Sequence, residues 1–402
     1  MITMIPLPRM TMNASKKKLL KHIFKNTEIT RGELVKSTGL SNLTVTKLVA
    51  EMLEQSLIIE DGVVSSTIGR RPNVLKINPE YRYIIGVDIG YHEFRIGVVR
   101  FNGEILEAQT LHNSKCVVPR TTVGFDDLCT LVNEYITKYG KEMFLGIGIG
   151  ISGMVDSQNG KVVFCPNVAG YDNLYLADKL SERVDLPVYV DTTARCTALA
   201  EQYFGVGFNV QNQVFVSLGY GTIASGIILG GKLFRGANGY AGEIGHNMIP
   251  DGKHSLCTCG RIDCLENYAS FSMLLGEFSK LIQTSSKPIP PYIKDPNSVT
   301  PEELRTAFNE NNEHATAVFQ KACLRIAGVI SPMINTINPN LVILGGALPE
   351  IFPESISVIG NKVMQQTLFP AWHNLSIKPS ALGNDGPIIG SSIQIVSKYL
   401  DF

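Results

Sequence analysis

Three cysteines, Cys257, Cys259 and Cys264, fall within eight residues of one another, and His246 lies eleven positions before the first of them. Three thiolates and one imidazole are the donor set of a closed structural zinc site, in which four ligands surround the ion tetrahedrally. Gly260 lies between the second and third cysteines, where it allows the backbone to turn sharply. The sequence therefore predicts a structural zinc site with these four ligands.

Two other interpretations of this cluster stay open: free thiols on a surface loop, or a disulfide between two of the cysteines. The close spacing of the cysteines, with a histidine nearby, favours zinc over free thiols. A disulfide is the weaker alternative, because disulfides persist mainly in oxidising compartments. The first residues, MITMIPLPRMTMNASKKK, lack the long apolar segment of an export signal.

The bulk composition is that of a folded protein with more than one domain. The chain has 402 residues, and 44% of them are hydrophobic, which is enough for two or three packed cores. Its longest apolar run, residues 143–155, is Gly-rich and too short to span a bilayer. We therefore expect a cytoplasmic protein with no membrane partner.

Charge is unevenly distributed along the chain, although the net charge is zero. Residues 1–76 carry 12 lysines and arginines against 6 aspartates and glutamates, which gives +6. Since the whole chain has 36 of each class, the remainder carries 24 against 30, which gives −6. A basic segment before an acidic body predicts that the first segment binds nucleic acid.

Residues 15–80 have the pattern of a helix-turn-helix domain, after a start, residues 1–14, that we expect to be disordered. The apolar spacing predicts a first helix over residues 15–26. Thr30 and Glu33 form a capping-box pattern for a second helix, which should end at Gly39. Ser41 should cap a third helix, whose apolar positions are Val45, Leu48, Val49 and Met52.

The third helix and the segment after it carry the groups that would contact DNA. The polar residues that should face base edges or phosphates are Ser41, Asn42, Thr44 and Lys47. Two short strands flank residues 61–72, where Arg70 and Arg71 precede a proline and suit phosphates or a narrow minor groove. A small protein-interaction domain is the alternative, but the basic charge and this wing favour a winged helix-turn-helix that binds double-stranded operator DNA.

The rest of the chain contains an internal repeat. A shift of 129 residues aligns Val87 with Val216 and Gly90 with Gly219, and an apolar strand with a glycine turn follows in each copy. Such self-similarity predicts two related α/β lobes.

The motif Glu243-Ile-Gly-His246, followed by Cys-x-Cys-Gly and Cys-x-Glu, resembles the signature of the ROK family (repressors, open reading frames, kinases). The resemblance covers nearly the whole chain and implies an actin-like, hexokinase-type (ribonuclease H-like) α/β body. We expect residues 81–195 with about 385–402 to form the first lobe, and 196–384 the second lobe with the zinc site. One departure is Asp263, where the family usually has glycine; aspartate can adopt the left-handed backbone that this position requires.

The resemblance also implies a sugar pocket between the lobes. The matching positions are Asn167, Thr192, Thr193, Glu243, His246 and Glu266. One ring nitrogen of His246 would face zinc and the other a sugar hydroxyl, so that the metal fixes the orientation of the ring. The alternative is that the two glutamates are ordinary solvated carboxylates, but their positions on either side of the cysteine cluster favour a ligand role.

Two departures from the kinase pattern of the family argue against phosphoryl transfer. The family's catalytic aspartate corresponds to Thr193, whose hydroxyl cannot act as a general base near neutral pH. Bulky side chains, among them Tyr91, His92 and Tyr220, follow the glycines that would approach nucleotide phosphates. Asp88 and Gly90 are retained, so weak nucleotide binding stays open, and no catalytic residue is predicted.

The sequence thus predicts a homodimeric, sugar-responsive transcriptional repressor with zinc as its only cofactor. Pentose repressors are the expected subgroup, because they also need no kinase chemistry. Two alternatives differ in class. One is a sugar kinase with a DNA-binding head, and the other is a repressor released by a protein partner such as a sugar-transport component.

Overall fold

The computed structural model describes residues 12–26, 28–63, 73–111, 123–166, 168–250 and 254–400. The elements between residues 14 and 77 form a small domain, here called the head. Its elements are α1 (Ala14–Lys25), β1 (Ile29–Thr30), α2 (Arg31–Thr38), α3 (Asn42–Glu54), β2 (Ile58–Val63) and β3 (Asn73–Ile77). The strands form an antiparallel sheet in the order β1-β3-β2 beside the helices.

Side-chain caps fix where the helices of the head begin. Thr30 and Glu33 form the predicted capping box, and Gly39 ends α2 with a φ of 70°. Ser41 caps α3, as predicted. The Asn13 side chain accepts a hydrogen bond from the Lys16 amide, and α1 begins at Ala14, one residue before the predicted start. The extent of the disordered start stays a prediction. Residues 1–11 lie outside the described part of the chain.

The first lobe is built on a five-stranded mixed sheet. Its elements are β4 (Tyr83–Ile89), β5 (Phe94–Arg100), β6 (Ile105–Leu111), α4 (Phe125–Tyr139), a 3₁₀ turn (Lys141–Met143), β7 (Phe144–Ile151), β8 (Met154–Asp156), β9 (Lys161–Phe164), α5 (Leu176–Val184) and β10 (Val188–Thr192). The strand order is β10-β7-β4-β5-β6, with β8 and β9 as a separate hairpin. All seven residues of β4 are buried, as expected for a central strand.

The second lobe repeats this plan. It follows α6 (Thr193–Phe204) and comprises β11 (Gln213–Leu218), β12 (Ile223–Leu229), β13 (Lys232–Phe234), a 3₁₀ turn (Ile244–His246), α7 (Glu266–Ala269), α8 (Phe271–Thr284), α9 (Pro301–Asn309), α10 (Glu313–Ile337), β14 (Leu341–Gly345), α11 (Ala347–Ile351), α12 (Glu354–Gln366), α13 (Phe369–Trp372) and β15 (Ser376–Pro379). The strand order is β13-β12-β11-β14-β15. A last 3₁₀ turn (Gly383–Asp385) leads into α14 (Gly386–Leu400), which packs on the first sheet.

The two lobes are topological copies of each other. In the first sheet, β4 pairs antiparallel with β5 and parallel with β7. In the second sheet, β11 pairs antiparallel with β12 and parallel with β14. The amide of Gly90 bonds the Glu93 carbonyl at 3.0 Å, and the amide of Gly219 bonds the Thr222 carbonyl at 3.0 Å. The structure therefore confirms the repeat predicted from the 129-residue shift.

Helix α10 is long and apolar enough to cross a membrane by length and composition alone. Most of its apolar window is buried inside the second lobe, where α10 packs against α8 and α12. It is therefore accounted for as a core helix.

Helices α6 and α14 cross at the junction of the lobes. α14 packs on β4 and β7 of the first sheet, whereas α6 packs on β11 and β12 of the second. At the crossing, a Cβ on Gly390 would lie 1.7 Å from the Cys196 carbonyl oxygen, so only glycine fits. Helix α6 itself contacts both sheets. The proposed domain limits near residues 80, 195 and 385 stay a prediction.

The far end of α6 reaches the head. The Phe24 ring of α1 contacts Tyr203 at 5.7 Å between centroids and Phe204 at 6.0 Å. The apolar core of the head also continues into α14 through Ile393 and Val396. The head is thus packed on the body as well as linked to it by the chain.

We expect Gly390→Ala to destabilise the protein by roughly 1–3 kcal/mol or more, because the new methyl group overpacks the α6–α14 crossing. The matched control is Gly328→Ala on the exposed face of α10, where a Cβ meets nothing within 4 Å. Alanine there should be neutral or stabilising by up to about 1 kcal/mol. Urea unfolding followed by circular dichroism measures both variants, and equal stabilities would contradict the crossing described above.

Candidate functional site: a thiol cluster beside an interlobe cleft

The four predicted metal ligands come together in the structure. The ligand atoms of His246, Cys257, Cys259 and Cys264 all lie within 4.8 Å of one another. The Cys259 and Cys264 sulfurs are 3.6 Å apart, and the Cys257 sulfur is 3.7 Å from Nδ1 of His246. Tetrahedral bonds of about 2.3 Å would place thiolate ligands roughly 3.8 Å apart, so the cluster has the donors and spacing to hold a metal ion.

Local backbone geometry holds the cysteine loop in this shape. Gly260 has a φ of 84°, and its amide bonds the Cys257 carbonyl at 2.9 Å. Asp263 has a φ of 57°, which confirms that aspartate can take the left-handed conformation here. Its carboxylate accepts a hydrogen bond from the Ser255 amide at 2.9 Å and another from the Tyr268 hydroxyl.

The cleft between the lobes lies directly beside this cluster. It is lined by residues of both lobes. His246 belongs to both places, because it lines the cleft while Nδ1 faces Cys257. The other predicted sugar ligands that line the cleft are Thr192, Thr193, Glu243 and Glu266. Asn167 lies outside the described residues.

The two glutamates of the cleft differ from solvated carboxylates. Burial raises the pKa of Glu243 and that of Glu266 to about 7 in each case. The Glu266 carboxylate accepts a hydrogen bond from the Ile223 amide at 2.9 Å, which fixes its position. No described residue donates a hydrogen bond to the Glu243 carboxylate, so it is an acceptor available to a bound molecule.

A buried ionic network that the sequence did not reveal lies next to Glu243. Asp191 is fully buried, and its carboxylate contacts Nε of Arg195 at 2.7 Å. Arg235 from the second lobe donates to the same carboxylate at 2.8 Å. The i,i+4 spacing of Asp191 and Arg195 was the available signal, but it did not indicate that the pair would be buried at the junction.

The two threonines at the start of α6 have separate roles. Thr192 caps the helix by accepting from the Arg195 amide at 3.3 Å. The Thr193 hydroxyl donates to the Asp88 carboxylate at 2.7 Å. Burial raises the pKa of Asp88 to about 7, partly offset by this bond. The hydroxyl of Thr193 is therefore engaged with Asp88.

Aromatic side chains fill the space between the two glycine hairpins. The His92 ring stacks on the Tyr220 ring at 3.9 Å between centroids, with 15° between the planes. The Tyr91 ring lies over Gly221, where a Cβ would come within 2.6 Å of it. These contacts join the two lobes. They lie where the backbone of the repeated glycines would otherwise be open to a ligand.

The residues of the head that were predicted to contact DNA fall into three groups in the structure: exposed, engaged in a helix cap, or outside the described residues. Asn42 and Lys47 are exposed on α3. Ser41 and Thr44 are engaged in the cap, where their hydroxyl oxygens are 2.8 Å apart and the Thr44 amide donates to Ser41. Arg70 and Arg71 lie outside the described residues. Leu43 and Thr46, which were not singled out from the sequence, share the exposed face of α3.

Comparisons with known proteins agree on one family. The model of the ROK family matches residues 84–397. A xylose repressor of Caldicellulosiruptor bescii is 31% identical over 395 residues, which is 96% of each chain.

Solved structures extend the likeness to the whole fold. A ROK family transcriptional regulator, described as a homologue of the E. coli MLC protein, superposes with a TM-score of 0.76 at 25% identity over 96% of both chains. A ROK glucokinase from Streptomyces griseus, in complex with glucose and AMPPNP, covers 78% of this chain and 98% of its own, with a TM-score of 0.66 at 24% identity. The glucokinase likeness shows the two-lobe, hexokinase-type fold alone. By family match and relatives together, this chain belongs to the ROK family.

Proposed function

We propose that the protein is a DNA-binding transcriptional repressor of a carbohydrate-utilisation operon, and that a sugar in the interlobe cleft controls its affinity for operator DNA. The observation that carries the proposal is one chain in which a helix-turn-helix head is packed against a body whose interlobe cleft contains two glutamates and a histidine. The relatives named as xylose repressors make a pentose the first effector to test.

In the cleft, the sugar hydroxyls would meet His246, Glu243 and Glu266, with Thr192 and Thr193 at the start of α6. Buried carboxylates and an imidazole are suitable partners for hydroxyl groups, because a hydrogen bond formed away from water costs much to lose. Asn167 stays part of the proposed set, as do Arg70 and Arg71 for DNA.

Phosphoryl transfer is not part of the proposed function. Thr193 cannot remove the proton of a sugar hydroxyl, and its own proton is directed to Asp88. The stacked rings of His92 and Tyr220 fill the space between the hairpins. A kinase function would need a general base other than Thr193 and a phosphate site that these rings leave open.

Helix α6 offers a direct connection between the sugar and the head. It begins at Thr193 in the cleft and ends at Phe204, so it spans about 18 Å at 1.5 Å per residue. Its first residues would sense lobe closure around the sugar, and its last residues contact Phe24 of the head. In a homodimer, a small displacement of each head changes the separation of the two recognition helices, which must match half-sites about 34 Å apart.

We also propose that the ion held by His246 and the three cysteines is zinc. The donor set of three sulfurs and one nitrogen is typical of a structural zinc site. Burial lowers the pKa of His246, which favours the neutral imidazole that binds metal. The ion would fix the ring that also lines the cleft, and so connect the metal to effector binding.

The first test is fluorescence anisotropy of the full-length protein on duplexes selected from a random library, titrated with pentoses, hexoses and their phosphates. One sugar should release the DNA. Glu243→Gln should raise the required sugar concentration by about 10- to 100-fold, because it weakens a buried charge-assisted hydrogen bond. Glu310→Gln on the exposed surface is the matched control. Tight DNA binding that no sugar disturbs would refute sugar control and favour release by a protein partner.

The second test concerns the connection through α6. Tyr203→Leu removes the ring contact with Phe24 and should reduce the factor by which sugar weakens DNA binding, while the Kd for sugar changes little. Such coupling is typically worth about 1–3 kcal/mol. Tyr292→Leu, a half-buried tyrosine of the second lobe, should keep the wild-type factor. Unchanged coupling in Tyr203→Leu would exclude this contact as the route.

The third test is metal analysis of the purified protein. We expect about one equivalent of zinc in the wild type and less than about half an equivalent in Cys259→Ser, because a closed site needs four ligands. Cys129→Ser, outside the cluster, should keep its zinc. A wild type with little zinc and freely titrating thiols would contradict the assignment.

A further inference from the structure

The exposed face of the recognition helix α3 carries several methyl groups. Leu43, Thr46, Lys47 and Ala50 are exposed and recur at i, i+3, i+4 and i+7, so they form one stripe along the helix. The opposite face, with Val45, Leu48, Val49 and Met52, is buried in the core of the head. The stripe therefore faces away from the domain, as the base-reading face of a recognition helix must.

Leu43 dominates this stripe. Its side chain is 82% exposed, more than any other large hydrophobic residue in the described part of the chain. A single exposed leucine would need no explanation. Leu43, however, lies in the first turn of α3, where the recognition helix of a helix-turn-helix contacts base edges, and Thr46 and Ala50 extend its apolar surface along the same face.

The hydroxyl groups of the cap and first turn of α3 are already engaged. Ser41 and Thr44 bond each other across the cap at 2.8 Å, and the Ser41 oxygen also accepts from the Thr44 amide. The first turn thus presents one amide, that of Asn42, beside the branched side chain of Leu43. An apolar side chain that meets a base edge in the major groove has one natural partner, the C5-methyl group of thymine.

We infer that Leu43 is a specificity-determining residue that reads a thymine methyl group in the major groove, with Thr46 and Ala50 bordering the contact. The inference rests on the proposed binding of operator DNA and adds a chemical prediction to it. Each half-site should contain a thymine opposite the first turn of α3. Lys47, on the same stripe, would contact a phosphate and hold the helix in register without reading sequence.

The experiment uses the full-length protein and a duplex that it selects from a random library. Each thymine is replaced in turn by deoxyuridine, which lacks only the methyl group. At one thymine per half-site, the replacement should weaken wild-type binding by about four-fold, the effect expected for one buried methyl group. In Leu43→Ala the same replacement should have almost no effect, while the conservative Leu43→Met should keep the sensitivity. Leu324→Ala, an exposed leucine of the body, is the matched control and should behave as the wild type.

Three outcomes separate the possibilities. Deoxyuridine tolerated at every position by the wild type would overturn the inference, as would equal losses in the wild type and Leu43→Ala. In both cases tight binding of the selected duplex would leave the proposed function intact. Failure to select or bind any duplex would instead refute DNA binding itself, and the thymine contact with it; the apolar stripe would then be a protein-binding surface.

Discussion

The close crossing of α6 and α14 is the constraint on which the rest of the molecule depends. One helix packs on the second sheet and the other on the first, so their contact sets how the two lobes meet. The absence of a side chain at Gly390 lets the backbones touch. A well-packed crossing of this kind resists gradual deformation, so under the proposed mechanism a change at the start of α6 would be passed to its other end, where the head is attached.

The charged groups at the junction divide into two kinds. Asp191 is paired with Arg195 and Arg235, and breaking such a buried pair is costly, so these residues serve to hold the junction. Glu266 is also buried and Glu243 is half-buried, but they face the cleft, and burial raises the pKa of each. The difference lies in the partner: the protein supplies arginines to Asp191, whereas a hydroxylated molecule in the cleft would complete the environment of Glu243.

Features encoded by neighbouring residues could be predicted from the sequence. The capping box at Thr30, the left-handed turn at Asp263 and the convergence of the cysteines all depend on short spacings, and the structure contains each of them. The repeat of the lobes was visible because glycines mark both hairpins. Contacts between distant segments could not be predicted in this way. The burial of Asp191 and the packing of Phe24 on Tyr203 depend on how whole lobes and the head are placed, and no periodicity encodes that placement.

The aromatic contacts between the hairpins have a consequence for how this site can change by mutation. Removing Tyr220 would leave Tyr91 over Gly221, and removing Tyr91 would leave the stack of His92 on Tyr220. Opening this surface to phosphate therefore requires changes in both hairpins. A single substitution would loosen the contact between the lobes and still leave the other ring contact in place. No single mutation can clear the space between the hairpins.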